Sequence, residues 1–334
     1  MPKTRLILIE AALFAAAIIV VLLVIERPFN SGGTATQPAA LEEGAVPRTP
    51  LPLAVEPDGD PGQRRQREPT PARRDDCGPA VDGEFMAANQ ILTYYGKPYT
   101  AQIGILGQLE PDQLVAQLKA HAQTYDALNG ARGVQPALQL VYGTAQADPG
   151  REGLYLLYVD SETVQEYIDL ACRNRLLIFL DTQVGRSDVR SEVQKLLPFL
   201  GSRHVHLALD PEFAMAEGEV PGEHIGHLDA EDVNLAQQMV QDFVEERGLP
   251  DKIMVVHQFL TEMLTRPELL KDYPRIRLVH DMDGFGPAEI KAVKYGWYAE
   301  PGEYSGIKLF FQQDPDLMSE QDVIGLGPDV VIYQ

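Results

Sequence analysis

One tryptophan and two cysteines stand in 334 residues. Cys77 and Cys172 are far apart and have no metal-ligand spacing. They read as two free thiols, or as a disulfide joining a linker to a folded domain in an oxidising compartment. The sequence has no phosphate-binding Gly-rich loop and no Gly-x-Gly-x-x-Gly after a strand. It also lacks His-Glu-x-x-His and Gly-x-Ser-x-Gly. Nucleotide, dinucleotide, zinc-protease and serine-esterase chemistry are therefore disfavoured, and no cofactor is expected. Positive charge is scarce, with 28 Lys and Arg against 49 Asp and Glu, a net charge of -21. The imbalance sits almost wholly after residue 80, where 19 basic face 39 acidic residues. Such a surface repels phosphate backbones and anionic headgroups, so no nucleic-acid partner is expected.

The apolar run Leu6–Ile25 is broken only by Glu10 and follows Lys3 and Arg5. About 20 apolar residues span a bilayer as a helix, and leading positive charge keeps the N-terminus inside. Glu26-Arg27-Pro28 follows in place of a small-residue cleavage site, which favours an uncleaved anchor. Residues 28–80 are rich in Pro, Gly, Thr and mixed charge and read as a disordered tether. The expected organisation is a transmembrane anchor over 1–27, a linker over 28–80 and a catalytic-size domain over 81–334. That domain would lie outside the cytoplasm, at the cell membrane.

Eight short runs, most of them apolar, punctuate the remainder: 102–107, 137–142, 176–183, 205–212, 253–258, 276–283, 307–312 and 330–334. Several intervening segments have helical periodicity: 111–129, 161–173, 187–199, 229–247, 261–273, 287–298 and 315–326. Strand and helix repeated eight times predict a (β/α)8 TIM-type barrel, α/β in class. No helix follows the eighth run, and a helix over 85–95 is expected to plug the N-terminal face of the barrel.

In such barrels the C-terminal strand ends carry the chemistry. Those ends supply Asp181 and Gln183, Asp210 and Glu212, His257 and Gln258, and Asp281 and Asp283. Residues two apart on a strand share a face, so Asp210 with Glu212, and Asp281 with Asp283, can enter one cleft. Either His257 or Gln258 faces inward. Lys308, within the seventh run, needs a carboxylate partner, with Asp281 or Asp210 in reach. Aromatic residues expected at the rim are Tyr142, Phe213, Phe259, Phe285, Trp297, Tyr298 and Tyr333, and Gln312 closes the seventh run. The long segment 214–228, with Glu217, Glu219, Glu223, His224 and His227, is placed to wall a cleft.

Several strings are distinctive: Ile-Gly-Ile-Leu-Gly (103–107), Phe-Leu-Asp-Thr-Gln-Val-Gly-Arg-Ser (179–187), Val-His-Leu-Ala-Leu-Asp-Pro-Glu-Phe-Ala-Met (205–215), Val-Val-His-Gln-Phe (255–259), Asp-Met-Asp-Gly-Phe-Gly (281–286) and Pro-Asp-Val-Val-Ile-Tyr-Gln (328–334). Together they resemble a family of bacterial exported or membrane-anchored, lipoprotein-like proteins over residues 90–334. The resemblance implies an envelope location and no particular activity. More remotely, Asp210-Pro211-Glu212 is similar to the Asp-x-Glu of chitinase-like and lysozyme-like barrel glycosidases. His206, Leu207, Ala208 and Leu209 stand where chitinases carry further aspartates, so the likeness stops short of their substrate-assisted mechanism.

Paired carboxylates at strand ends suit glycoside hydrolysis of an envelope or extracellular polysaccharide, or action on another small polar ligand. Glu212 would be the general acid, Asp210 its modulator, and Asp281 or Asp283 the second carboxylate. Asp181, Gln183, His257, Gln258, Tyr142, Phe285, Gln312 and Tyr333 would bind substrate, with no metal. The alternatives are a metal-dependent hydrolase using Asp181, Asp210, His257 and Asp281, or a non-catalytic barrel binding a glycan or a partner.

Overall fold

A computed structural model describes residues 77–299 and 302–334. The expected anchor and linker residues 28–76 lie outside the described residues. Among the described residues no helix is long and apolar enough to cross a membrane.

Eight parallel strands close into a barrel: β1 (Asn89–Gly96), β2 (Gly133–Ala145), β4 (Leu177–Gly185), β5 (Val205–Ala214), β7 (Lys252–Gln258), β9 (Ile276–Met282), β10 (Tyr304–Leu309) and β11 (Val330–Tyr333). β1 pairs with both β2 and β11, which shuts the cylinder and leaves no open edge. The short β3 (Leu156–Tyr158) folds back antiparallel on β2, and β6 (Leu228–Asp229) bridges β8 (Leu264–Thr265) outside the barrel. The helices are α1 (Gly83–Ala88), α2 (Pro111–Leu128), α3 (Ser161–Asn174), α4 (Val189–Leu200), α5 (Ala230–Arg247), α6 (Ala288–Tyr298) and α7 (Glu320–Leu326).

Six of the eight expected strands stand where the sequence places them, and the seventh is shifted, running Tyr304–Leu309 instead of 307–312. The first lies elsewhere. Residues 101–107 form two short 3-10 turns, and the strand is 89–96, overlapping the expected helix 85–95. Gly104 explains the turn: its φ is 101°, and a Cβ there would lie 2.4 Å from the Tyr95 carbonyl oxygen. Only glycine lets the loop close onto the end of β1. The plug survives as α1, whose Met86 joins Val81 and Ile91 in the lower barrel interior. Expected helix 261–273 is instead 3-10 turns around β8, interrupted by Arg266 in the left-handed region and by Pro267.

Alternation assigns the two faces of each strand. Leu92, Leu138, Ile178, Leu207, Met254 and Val331 pack outward against helices. Ile91, Ala137, Leu177, Phe179, Ile253, Val255, Val279 and Val330 fill the interior. Asp160 caps α3, accepting from the Thr163 N–H, and Asp229 with Asp232 forms a capping box on α5. Beside β11, α2 meets α7 through His121 Nε2 and Glu320 Oε1 at 3.4 Å. The Tyr125 and Tyr333 hydroxyls, 2.8 Å apart, tie α2 to β11. Cys77 and Cys172 form a disulfide that fastens the entry of the domain to α3.

Candidate active site

The interior turns polar toward the C-terminal strand ends. On β5, His206, Ala208 and Asp210 share the inward face, and the strand order sets Asp210 between Gln183 of β4 and His257 of β7. His257 pairs in register with Asp281 of β9 and faces inward. Gln258 faces away, and its amide donates to the carbonyls of Leu260 and Thr261 in its own loop. Met282 packs outward, as Asp281 on its inward neighbour requires.

The floor is a clamp around one ring. His257 Nδ1 lies 2.8 Å from Asp281 Oδ2, and Nε2 lies 3.0 Å from Asp181 Oδ2. Gln139 of β2 donates to the same Asp181 oxygen at 2.8 Å. All four side chains are fully buried. Burial opposes charge on His257, but the Asp181 carboxylate and the bonds from both aspartates outweigh it and raise the ring well above its ordinary proton affinity. Burial alone would raise Asp181; the imidazolium instead holds it below the usual carboxylate value. Gly306 makes room for this arrangement, since a Cβ there would sit 2.7 Å from Asp281 Oδ1.

Above the floor stand Asp210, Glu212, Asp283 and Lys308. Lys308 Nζ donates to Asp283 Oδ2 at 3.0 Å and lies 3.8 Å from the Tyr95 ring centroid. The partner of Lys308 is thus Asp283 rather than Asp281 or Asp210. Burial alone would lower Lys308, but Asp283 and the other aspartates hold its proton affinity above the ordinary value. Gln183 bridges the two neighbouring strands, accepting from Ala145 N of β2 at 2.7 Å and donating to Asp210 Oδ2 of β5 at 3.3 Å. Asp210 Oδ1 accepts from Glu212 N at 3.2 Å. The return of the long loop fixes the Glu212 backbone, as Gly226 N donates to its carbonyl at 2.6 Å.

Burial raises the Asp210 carboxyl to about 7, against the pull of His257. Burial, then Asp210 and Asp283, push Glu212 well above its ordinary value. Burial likewise raises Asp283, and Lys308 opposes the rise. Three carboxyl groups with high proton affinity above the His257 clamp can store and deliver a proton near neutral pH.

The structure therefore gathers Asp181, Gln183, Asp210, Glu212, His257, Asp281 and Asp283. It does not bring in Tyr142 or Tyr333, which face the helices, with Tyr142 against Tyr158 and Tyr333 against Tyr125 and His121. Gln312 is exposed in the loop after β10, which ends at Leu309. Phe285 is exposed beside Asp283, edge-on to Phe310. Trp297 and Tyr298 end α6, which runs back toward the opposite end of the barrel. Glu217, Glu223, His224 and His227 are exposed, while the Glu219 carbonyl accepts from the Arg186 guanidinium at 2.8 and 2.6 Å. The residues missed were Gln139 and Tyr95. Gln139 lies two positions from inward Ala137 and Val141; Tyr95 was hidden by the misplaced first strand.

His257, Asp281 and Asp283 each offer one atom within 4.8 Å of the others, a set that could hold a metal ion. Here both ring nitrogens already meet carboxylates, and Lys308 occupies Asp283.

No protein-family model and no curated protein matches the chain. Among solved structures it is similar to 2,3-dimethylmalate lyase of the PEP mutase/isocitrate lyase superfamily (TM-score 0.40, 10% identity, 75% of this chain and 77% of that one). It is also similar to a putative alpha-L-fucosidase from Bacteroides thetaiotaomicron (0.38, 9%, 83% and 91%) and to a hyperthermophilic endo-beta-1,4-glucanase (0.39, 10%, 75% and 90%). Likeness this remote does not bear on the reaction, and the site must be judged on its own geometry.

Proposed function

We propose that this protein is an exported, membrane-anchored glycoside hydrolase acting on an envelope or extracellular polysaccharide. The observation that carries the reading is the convergence of Asp210 and Glu212 from β5 with Asp283, just beyond β9, above the His257 clamp. Glu212, with its raised proton affinity, gives its proton to the leaving glycosidic oxygen as the C–O bond breaks. Asp283, held by Lys308, presents the second carboxylate to the anomeric carbon. Water supplies the incoming oxygen, and its proton restores Glu212. Asp210 shares charge with Glu212 and keeps the acid protonated. Asp281, sealed in the clamp, positions His257. The disulfide and the charge-flanked run Leu6–Ile25 support an oxidising, extracytoplasmic setting.

The test is reducing-end release from a panel of plant, fungal and bacterial polysaccharides by the full chain, with and without chelator. Release that survives chelation supports the reading; binding without release would make the barrel a recognition module. A second reading, metal-assisted hydrolysis, rests on the spacing of His257, Asp281 and Asp283. Stoichiometric zinc or manganese, lost on His257→Ala, would favour it.

A further inference from the structure

We infer, resting on the glycan reading, that the ligand is a non-anionic glycan, uncharged or bearing free amines, and that acidic glycans are excluded. The inference comes from which charges in the mouth are already paired. The two cations among the gathered residues are both committed. His257 is held by Asp181 and Asp281 at 3.0 and 2.8 Å, and Lys308 by Asp283 at 3.0 Å with its ammonium over the Tyr95 ring. Neither can turn to a ligand anion without stranding a buried carboxylate.

Other basic side chains from the neighbouring loops and helices are also engaged. The Arg186 guanidinium is bonded to the Glu219 carbonyl and covers the Tyr155 ring. Lys291 is buried on Asp314 at 3.0 Å, and Lys195 is paired with Glu192 at 2.8 Å. Lys97, just after β1, is nine-tenths buried, and burial lowers its proton affinity.

The carboxyl side is in surplus. Asp181, Asp210, Glu212, Asp281 and Asp283 meet only those two cations. Asp210 receives the neutral donors Gln183 Nε2 and Glu212 N. Glu212 keeps its proton for the glycosidic oxygen, and the carboxyl oxygens that remain ask the ligand for hydrogen-bond donors. Sugar hydroxyls meet that demand, and an ammonium meets it with favourable charge. A uronate, sulfate or phosphate brings a second anion to unpaired carboxyl groups. The net charge of the domain acts in the same sense, because 39 acidic against 19 basic residues after position 80 repel polyanions at long range.

The experiment uses the full chain carrying Glu212→Gln, so that bound sugar is not consumed. It is applied to a glycan array in which each backbone linkage appears in neutral, free-amine and carboxylated form. The expected result is binding to one linkage in its neutral and amine forms, with the amine form tighter. The carboxylated form should be at least tenfold weaker. Adding Asp210→Asn should shrink the amine preference. A carboxylated member bound as tightly as its neutral counterpart would overturn the inference while leaving the glycan reading intact. Absence of binding to every member would end both, through the reading on which the inference rests.

Discussion

Nδ1 of His257 and Oδ2 of Asp281 stand 2.8 Å apart with both side chains fully buried. With Asp181 on the other ring nitrogen, this pair fixes a positive charge inside the barrel. The ring's proton affinity is raised above that of the unfolded chain. The stabilisation is therefore fully present below about pH 6.5, the ordinary value, and is lost as pH rises through the folded-state value. Imidazole NMR should show His257 doubly protonated well above pH 6.5. Titration at the ordinary value would break the clamp. His257→Ala strands two carboxylates and should cost about 3–5 kcal/mol in denaturant unfolding.

Asp281 and Asp283 should separate by phenotype. Asp281→Asn weakens the buried clamp and should lower the melting temperature. Asp283→Asn leaves the clamp in place but takes the carboxylate from the buried Lys308 ammonium; it should lower the melting temperature as well and, unlike Asp281→Asn, abolish turnover of the protein that remains folded. Calorimetry and rates on the same two variants check this. Equal effects on both quantities would mean that the carboxylates share one role.

How much of this was readable in advance depends on strand parity. Asp210, His257 and Asp281 all end apolar runs whose alternation points them inward, so the ring of acids could be read directly. The same rule, applied to Val330 and Ile332, turns Tyr333 outward, and applied to Val141 it turns Tyr142 outward. An aromatic at a strand end attracts notice for its chemistry even when its register sends it to the helices. The first strand was obscured for a different reason. Tyr94-Tyr95-Gly96-Lys97-Pro98 looks like a turn, whereas Ile103 to Gly107 looks like a strand. The close approach of Gly104 to Tyr95 decides the matter, and that contact is tertiary. The same holds for the pairing of Lys308 with Asp283 and of Cys77 with Cys172.

Lys252 offers a test far from the mouth. It is fully buried and donates to the carbonyls of Ser202 and Val205 at 2.7 and 2.9 Å. Burial, aided by Arg203, lowers it to about 7 from its ordinary 10.5. Between those values the unfolded chain holds a proton that the folded chain releases, so this group makes stability rise with pH. Below about pH 7 its full penalty applies. Urea unfolding from pH 6.5 to 9.5 should show this slope in the native sequence and a smaller one in Lys252→Met. Identical slopes would contradict the assignment.

The disulfide closes a loop of sequence separation 95. Loop-closure entropy predicts that reduction costs about 4–5 kcal/mol. Thermal unfolding with and without reductant measures it, with the Cys77→Ser, Cys172→Ser double variant as a reductant-insensitive control. Insensitivity of the native sequence would show that the cysteines do not pair.

The proposed acid gives the most direct test. Glu212 and Asp210 share one inward face of β5, and burial with mutual repulsion keeps Glu212 protonated. Glu212→Gln preserves shape and removes the transferable proton. On whichever polysaccharide the native chain cleaves, kcat/KM of Glu212→Gln should fall by about 10²–10⁴-fold with an unchanged melting temperature. Asp210→Asn should fall less and move the alkaline limb of the pH profile. Native-like turnover by a folded Glu212→Gln protein would contradict the assignment of Glu212 as the acid.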